Sequence, residues 1–192
     1  MIKAIGDGTV LGGPNRYERI LSAELVSRFP ALDLVRFTNS GTEANLMAVV
    51  TARAVTGRSK VMVFEGGYHG GVFIFGHGGS PINAPFDYVM APFNDTEGTL
   101  KLIEEHAGDL ACVVIEPMQA AGGGIPAKPE MLRALREATE KHGIILIFDE
   151  VVTSRLSGGG LHKILGITPD MITLGKYIGG GATFGAFGGR AD

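Results

Sequence analysis

The strongest constraint in this sequence is a series of short, nearly unbroken apolar runs, each followed at once by glycine or a polar side chain. Residues 34–38 (LVRFT), 60–64 (KVMVF), 111–115 (ACVVI), 144–148 (IILIF) and 171–174 (MITL) are of strand length. Runs with so little polar alternation suit strands covered on both faces. Residues 88–91 (YVMA) read as a further short strand. Helical patterns separate these runs. Tyr17, Ile20, Leu21 and Leu25 recur at helical spacing within 15–28, and a second helix spans 42–55 with Gly57 as its stop. A third is expected over 97–106 with Thr96 as N-cap, and a fourth over 129–141, opened by Pro129 and closed by Gly143. Strands alternating with helices predict an α/β fold, a mostly parallel sheet flanked by helices. In such sheets a ligand lies beyond the carboxyl ends of the strands. Asn39-Ser40-Gly41, residues 66–70, Glu116, Asp149 and Lys176 all fall there.

A length of 192 residues suits one domain with a real core. With a net charge of −3 and no dense basic stretch, the chain lacks the means to hold nucleic acid or an anionic membrane by charge. No apolar run approaches the ~20 residues of a membrane helix, and residues 1–10 (MIKAIGDGTV) lack the pattern of a signal peptide. The single cysteine, Cys112, sits inside an apolar run and reads as a small buried hydrophobe. One cysteine rules out an internal disulfide and agrees with a reducing, cytoplasmic compartment. The 30 glycines cluster at 66–71, 122–124, 158–160 and 179–181, after apolar runs, where loops lining a site would lie. No fixed-period repeat is visible.

Three positions carry potential chemistry, and each has a plainer reading beside it. Ser40-Gly41-Thr42 opens a helix, where free N–H groups, the helix dipole and two hydroxyls attract an anion; simple N-capping by Ser40 is the alternative. Asp149 follows an apolar strand, where a carboxylate needs a cation or several donors; it could instead cap a neighbouring helix. Lys176 lies between Gly175 and Tyr177, where partial burial would favour the neutral, nucleophilic amine; a solvated charge is the alternative. Taken together, an anion site, an aromatic loop, a strand-end aspartate and a later lysine are the parts that hold pyridoxal 5'-phosphate.

The strings FTNSGTEAN, GGYHGG, VVIEPMQ, IFDEV and TLGKYIGGG, in this order and spacing, resemble the class III aminotransferases over nearly the whole chain. The resemblance is nearest the branch of the glutamate-1-semialdehyde aminomutases and, within it, the β-phenylalanine-type aminotransferases. It implies the large cofactor-binding domain of fold-type I pyridoxal-phosphate enzymes, and transfer of an amino group between an amino acid, such as a β-amino acid, and a keto acid. By that resemblance Lys176 would carry the cofactor as a Schiff base and shuttle the proton, and Asp149 would pair with the pyridine nitrogen. Ser40, Gly41 and Thr42 would hold the phosphate, Tyr68 would stack on one ring face, and Val151 would pack on the other. It further implies a homodimer with small-molecule substrates, and a chain that lacks an N-terminal segment and a C-terminal small domain.

There are departures. Val152 stands where many relatives have a glutamine that contacts the ring hydroxyl, and Ala121 where many have a glutamate. The asparagine that aminomutases place near there is also absent. These differences disfavour both an ornithine-type enzyme and a strict aminomutase. An aminomutase-like isomerase and a non-catalytic cofactor-binding fragment are the alternatives to a transaminase. A nicotinamide-binding domain is disfavoured because no G-x-G-x-x-G joins the first strand to its helix, and the P-loop pattern is missing too. The five histidines show no close metal-ligand spacing, so surface or loop roles are expected for them.

Overall fold

The computed structural model describes Ile5, Gly6, Gly8 and residues 15–192. Its strands are β1 (Leu34–Thr38), β2 (Lys60–Phe64), β3 (Asp87–Ala91), β4 (Leu110–Ile115), β5 (Met118–Gln119), β6 (Ile125–Pro126), β7 (Ile145–Asp149), β8 (Met171–Gly175) and β9 (Gly185–Gly189). Seven of them form one sheet in the order β1-β9-β8-β7-β4-β2-β3, while β5 and β6 make a separate antiparallel hairpin. Within the large sheet only β9 runs against its neighbours; the pairs β3–β2, β2–β4, β4–β7 and β7–β8 are all parallel. The helices are α1 (Arg16–Arg28), α2 (Gly41–Thr56), α3 (Thr96–His106), α4 (Pro129–His142) and α5 (Gly160–Leu165). The mostly parallel, helix-flanked sheet expected from the sequence is present.

The pleat explains why the strands are apolar throughout. Successive side chains point to opposite faces, so a strand covered on both sides needs apolar residues at every position. Met62, Phe64, Val113, Ile115, Leu146 and Phe148 join one core, closed by Leu25 of α1, Ile103 of α3 and Met131, Leu132 and Leu135 of α4. The residues between them, Val61, Val63, Cys112, Val114 and Ile147, join the other core, closed by Ala44, Ala48, Val49 and Ala52 of α2. Those small side chains let α2 lie close on the sheet. It leaves β1 at one edge, packs across β9, β8, β7 and β4, and leads into β2. Its first turn therefore sits over the carboxyl ends of the central strands.

Two expectations about helices need correction. The N-cap of α3 is Asp95, whose Oδ1 accepts the Gly98 N–H at 3.0 Å, and Thr96 is the first helical residue. A carboxylate both caps and meets the positive end of the helix dipole, which a threonine cannot match. In α1, capped by Asn15, only Leu25 of the apolar stripe is buried, whereas Tyr17 and Ile20 are 40% and 60% exposed. Spacing places residues on one face; it does not supply the surface that covers them. Cys112 is fully buried, as its setting predicted.

Candidate active site

The carboxyl ends of β7 and β8 deliver Asp149 and the Gly175-Lys176 pair to one place. Asp149 is 5% exposed, and a carboxylate so buried is tolerated only with several donors around it. The Val151 N–H donates to Oδ1 at 3.0 Å and Asn45 Nδ2 donates to Oδ2 at 2.9 Å. His69 Nδ1 lies 2.9 Å from the same Oδ2. Thr173 Oγ1 is 3.3 Å from Asp149 Oδ1 but 2.9 Å from Asn45 Oδ1, and its one proton goes to the nearer acceptor. That leaves Asp149 Oδ1 with capacity for one further donor.

His69 is buried, and its Nε2 has no hydrogen-bond partner among the described residues. Burial alone would lower its pKa. The hydrogen bond and charge of Asp149, with a smaller contribution from Glu116, outweigh burial and raise it above the ordinary 6.5. A raised pKa means that the stabilisation from this contact is full below pH 6.5 and is lost as the pH rises through the raised value. Glu116 lies on the same cavity, 6% exposed, accepting the Tyr68 N–H at 3.0 Å and the Ala120 N–H at 3.1 Å. Burial pushes its pKa up, against the opposing influence of His69 and the two N–H groups.

At the start of α2 Ser40 Oγ accepts the Glu43 N–H at 3.1 Å, so the capping reading of this residue holds. Its hydroxyl proton remains available to an acceptor, so capping does not exclude anion binding. Gly41 and Thr42, the first helical residues, have no intrahelical acceptor for their N–H groups. Thr42 Oγ1 accepts the Gly71 N–H at 3.2 Å and likewise keeps its own proton to donate. Packing is close here. A Cβ on Gly41 would lie 3.0 Å from Val151 Cγ2, and one on Gly175 3.3 Å from Val151 Cγ1, so a side chain at either position would need Val151 to move by a few tenths of an ångström. Lys176 has φ +48°, a left-handed conformation that costs a non-glycine residue ~1 kcal/mol or more and tends to cluster at functional sites. Its side chain is exposed to the cavity mouth.

These segments enclose a cavity of about 250 Å³ lined by Gly41, Thr42, Tyr68, Asp149, Val151 and Lys176; Ser40, the helix N-cap, is not among the lining residues. Ala121 and Val152 also line it. A larger, more apolar cavity of about 350 Å³ lies at the other end of β8, between Leu34, Val55, Met171 and Phe187. Among the described residues no lysine and no helix start lines it. Sequence reasoning missed Asn45 and His69, which hold Asp149, and Thr173, whose hydroxyl holds Asn45. His69 lies in the loop after β2, as expected for the histidines, but is 3% exposed, whereas the expectation of a surface or loop role fails for His162, which is in α5, 1% exposed and bound to Glu150. Both pair with carboxylates that only the folded chain brings near. A signal existed for Asn45: it falls on the stripe of Ala48, Val49 and Ala52, a polar residue on the buried face of a helix.

An anion-ready helix start, a strand-end carboxylate with room for a further donor and a lysine, gathered at the carboxyl edge of a parallel sheet, are what a ligand-binding α/β domain presents. The chain belongs to the class-III aminotransferases, whose family model matches residues 14–192. Over 192 residues it is 53% identical to the β-phenylalanine transaminase of Variovorax paradoxus, covering 100% of this chain and 44% of that protein. A crystal structure of a β-phenylalanine aminotransferase from the same organism superposes with a TM-score of 0.97 at 53% identity, over 100% of this chain and 44% of that one. The glutamate-1-semialdehyde 2,1-aminomutase of Methanococcus vannielii is 42% identical over 200 residues, covering 96% of this chain and 47% of that enzyme. The chain thus spans about half the length of the curated relatives it matches.

Proposed function

We propose that this chain supplies the pyridoxal-phosphate-binding large domain of a fold-type I aminotransferase that moves an amino group between an amino acid and a keto acid. The carrying observation is the convergence of the α2 start, Asp149 and Lys176 on one cavity. The residues fit the group chemically. The Gly41 and Thr42 N–H groups, with the Ser40 and Thr42 hydroxyls, offer donors to a phosphate, and Asp149 Oδ1 has room for one ring N–H. Tyr68 and Val151 would cover the two ring faces. Pyridoxal phosphate supplies an aldehyde that condenses with amines and a protonated ring that takes up the electron pair left at the substrate carbon. Lys176 Nζ would hold the aldehyde between turnovers and, once released, move the proton at the substrate carbon. Asp149 would keep the proton on the ring nitrogen, held in place by Asn45 and His69.

Ala121 and Val152 put no polar group on the cavity wall, which supports a donor with an apolar side chain. The 53% identity to a β-phenylalanine transaminase supports a β-amino acid in that place. A second domain, a homodimeric assembly and a cytoplasmic location belong to the same proposal; no described helix is long and apolar enough to cross a membrane. The test is reductive trapping: borohydride added to the protein with pyridoxal phosphate should fix the pyridoxyl group to Lys176. A label on another lysine, with Lys176 unmodified, would sink the assignment.

A further inference from the structure

Two segments that line the cavity lie side by side. The loop after β2 carries Tyr68, and the turn of the β5–β6 hairpin carries Ala120 and Ala121. The hairpin strands pair only with each other, so no sheet ladder ties that turn to the Tyr68 loop. Two buried side chains bridge the gap. Glu116 accepts the Tyr68 N–H on Oε2 at 3.0 Å and the Ala120 N–H on Oε1 at 3.1 Å. Gln119, 3% exposed, donates Nε2 to the Glu65 carbonyl at 2.7 Å. Gln119 is slotted between two backbones: a Cβ on Gly66 would lie 2.9 Å from its Oε1, and one on Gly122 2.7 Å.

We propose that Glu116 and Gln119 form a clasp that sets the position of Tyr68 against Ala120 and Ala121, and are thereby positioning residues for the cofactor ring and the substrate side of the cavity. The functional half of this inference rests on the proposed cofactor; the clasp itself does not. A carboxylate suits the task because it offers two acceptor oxygens and no donor to two converging N–H groups. Glutamine in its place accepts one N–H and turns an NH2 group toward the other, so one segment is released. Burial raises the pKa of Glu116, a cost that is carried where no ligand is needed to explain the contacts.

The experiment is Glu116→Gln in the protein, alone and combined with Tyr68→Ala, read in two ways. Amide hydrogen exchange at Tyr68 and Ala120, without cofactor, should speed up by about tenfold or more at one or both positions. The Kd for pyridoxal phosphate should rise about tenfold in the presence of Tyr68, and by less than about twofold once Tyr68 is alanine. Unchanged exchange at both amides would overturn the clasp. Equal weakening in the Tyr68→Ala background would show that Glu116 acts on the cofactor directly and would overturn the positioning role. If Glu116→Gln does not fold, Gln119→Met removes only the donor to Glu65; unaltered exchange over residues 66–68 in that variant would overturn the proposal equally. A wild-type protein that binds no pyridoxal phosphate would defeat the proposed function, leaving the exchange measurement to judge the clasp.

Discussion

Asp149 and Lys176 were legible in the sequence because each ends an apolar strand, and strand ends of a parallel sheet converge on one edge. Their supporting residues were not, because Asn45, His69 and Thr173 come from three segments whose meeting depends on the tertiary fold. The roles proposed at this scale can be measured. Asp149→Asn keeps the shape of the side chain but cannot keep the ring nitrogen protonated. Amino transfer should fall at least about a hundredfold, about 2.7 kcal/mol of barrier, and near-normal turnover would show that Asp149 is not the ring partner. Cys112 gives a second residue-level expectation. Burial pushes its thiol up from 9.0 to about 12, against a smaller opposing pull from Arg53. The folded protein should therefore resist alkylation at pH 8. Because the folded pKa is raised, the stability linked to this thiol is full below pH 9 and falls between 9 and about 12 as the unfolded thiol ionises first. Rapid labelling of native protein at pH 8 would contradict this.

Among the elements, the parallel strands matched their sequence patterns to within a residue or two, since unbroken apolar runs have few other homes. β9 has no run of large apolar residues to mark it. GAFGG has little strand propensity of its own, and its conformation is imposed by β1 and β8, which pair with it on both sides. α5 gave no periodic signal either, being six residues long. It is held by Glu150, wholly buried, which accepts the Leu161 N–H at 2.8 Å, the His162 N–H at 2.9 Å and the Thr153 hydroxyl at 3.0 Å, and lies 2.6 Å from His162 Nδ1. Glu150 stands between Asp149 and Val151, so the same turn that faces the cavity is anchored from behind. Glu150→Ala would orphan these buried donors and should destabilise the protein by about 3 kcal/mol or more. Thermal or denaturant unfolding measures this, and an unchanged midpoint would mean that the turn is held by other contacts.

For the whole molecule, the exposed apolar surface matters most. Leu34 and Val55, 62% and 69% exposed, border the larger cavity beside the edge strand β1, and Ile82 is 65% exposed elsewhere. Edges and patches of this kind invite association. Residues 1–192 taken alone should self-associate in sedimentation velocity; if, as proposed, a second domain and a partner subunit supply positioning groups worth several kcal/mol, they should also fail to sustain multiple turnovers with a β-amino acid and a keto acid. Robust turnover by a stable monomer would show that this stretch carries its own substrate site. One element joins the scales. α2 begins at Gly41, whose N–H would face the proposed phosphate, and four residues later Asn45 grips Asp149, about 6 Å along the axis at the usual helical rise. On the proposed function, a single rigid rod would gauge the span from phosphate to ring nitrogen, as the fixed jaws of a caliper would. An analogue with one extra methylene between ring and phosphate should bind more weakly than pyridoxal phosphate in an equilibrium titration, since it can seat one end only by lifting the other.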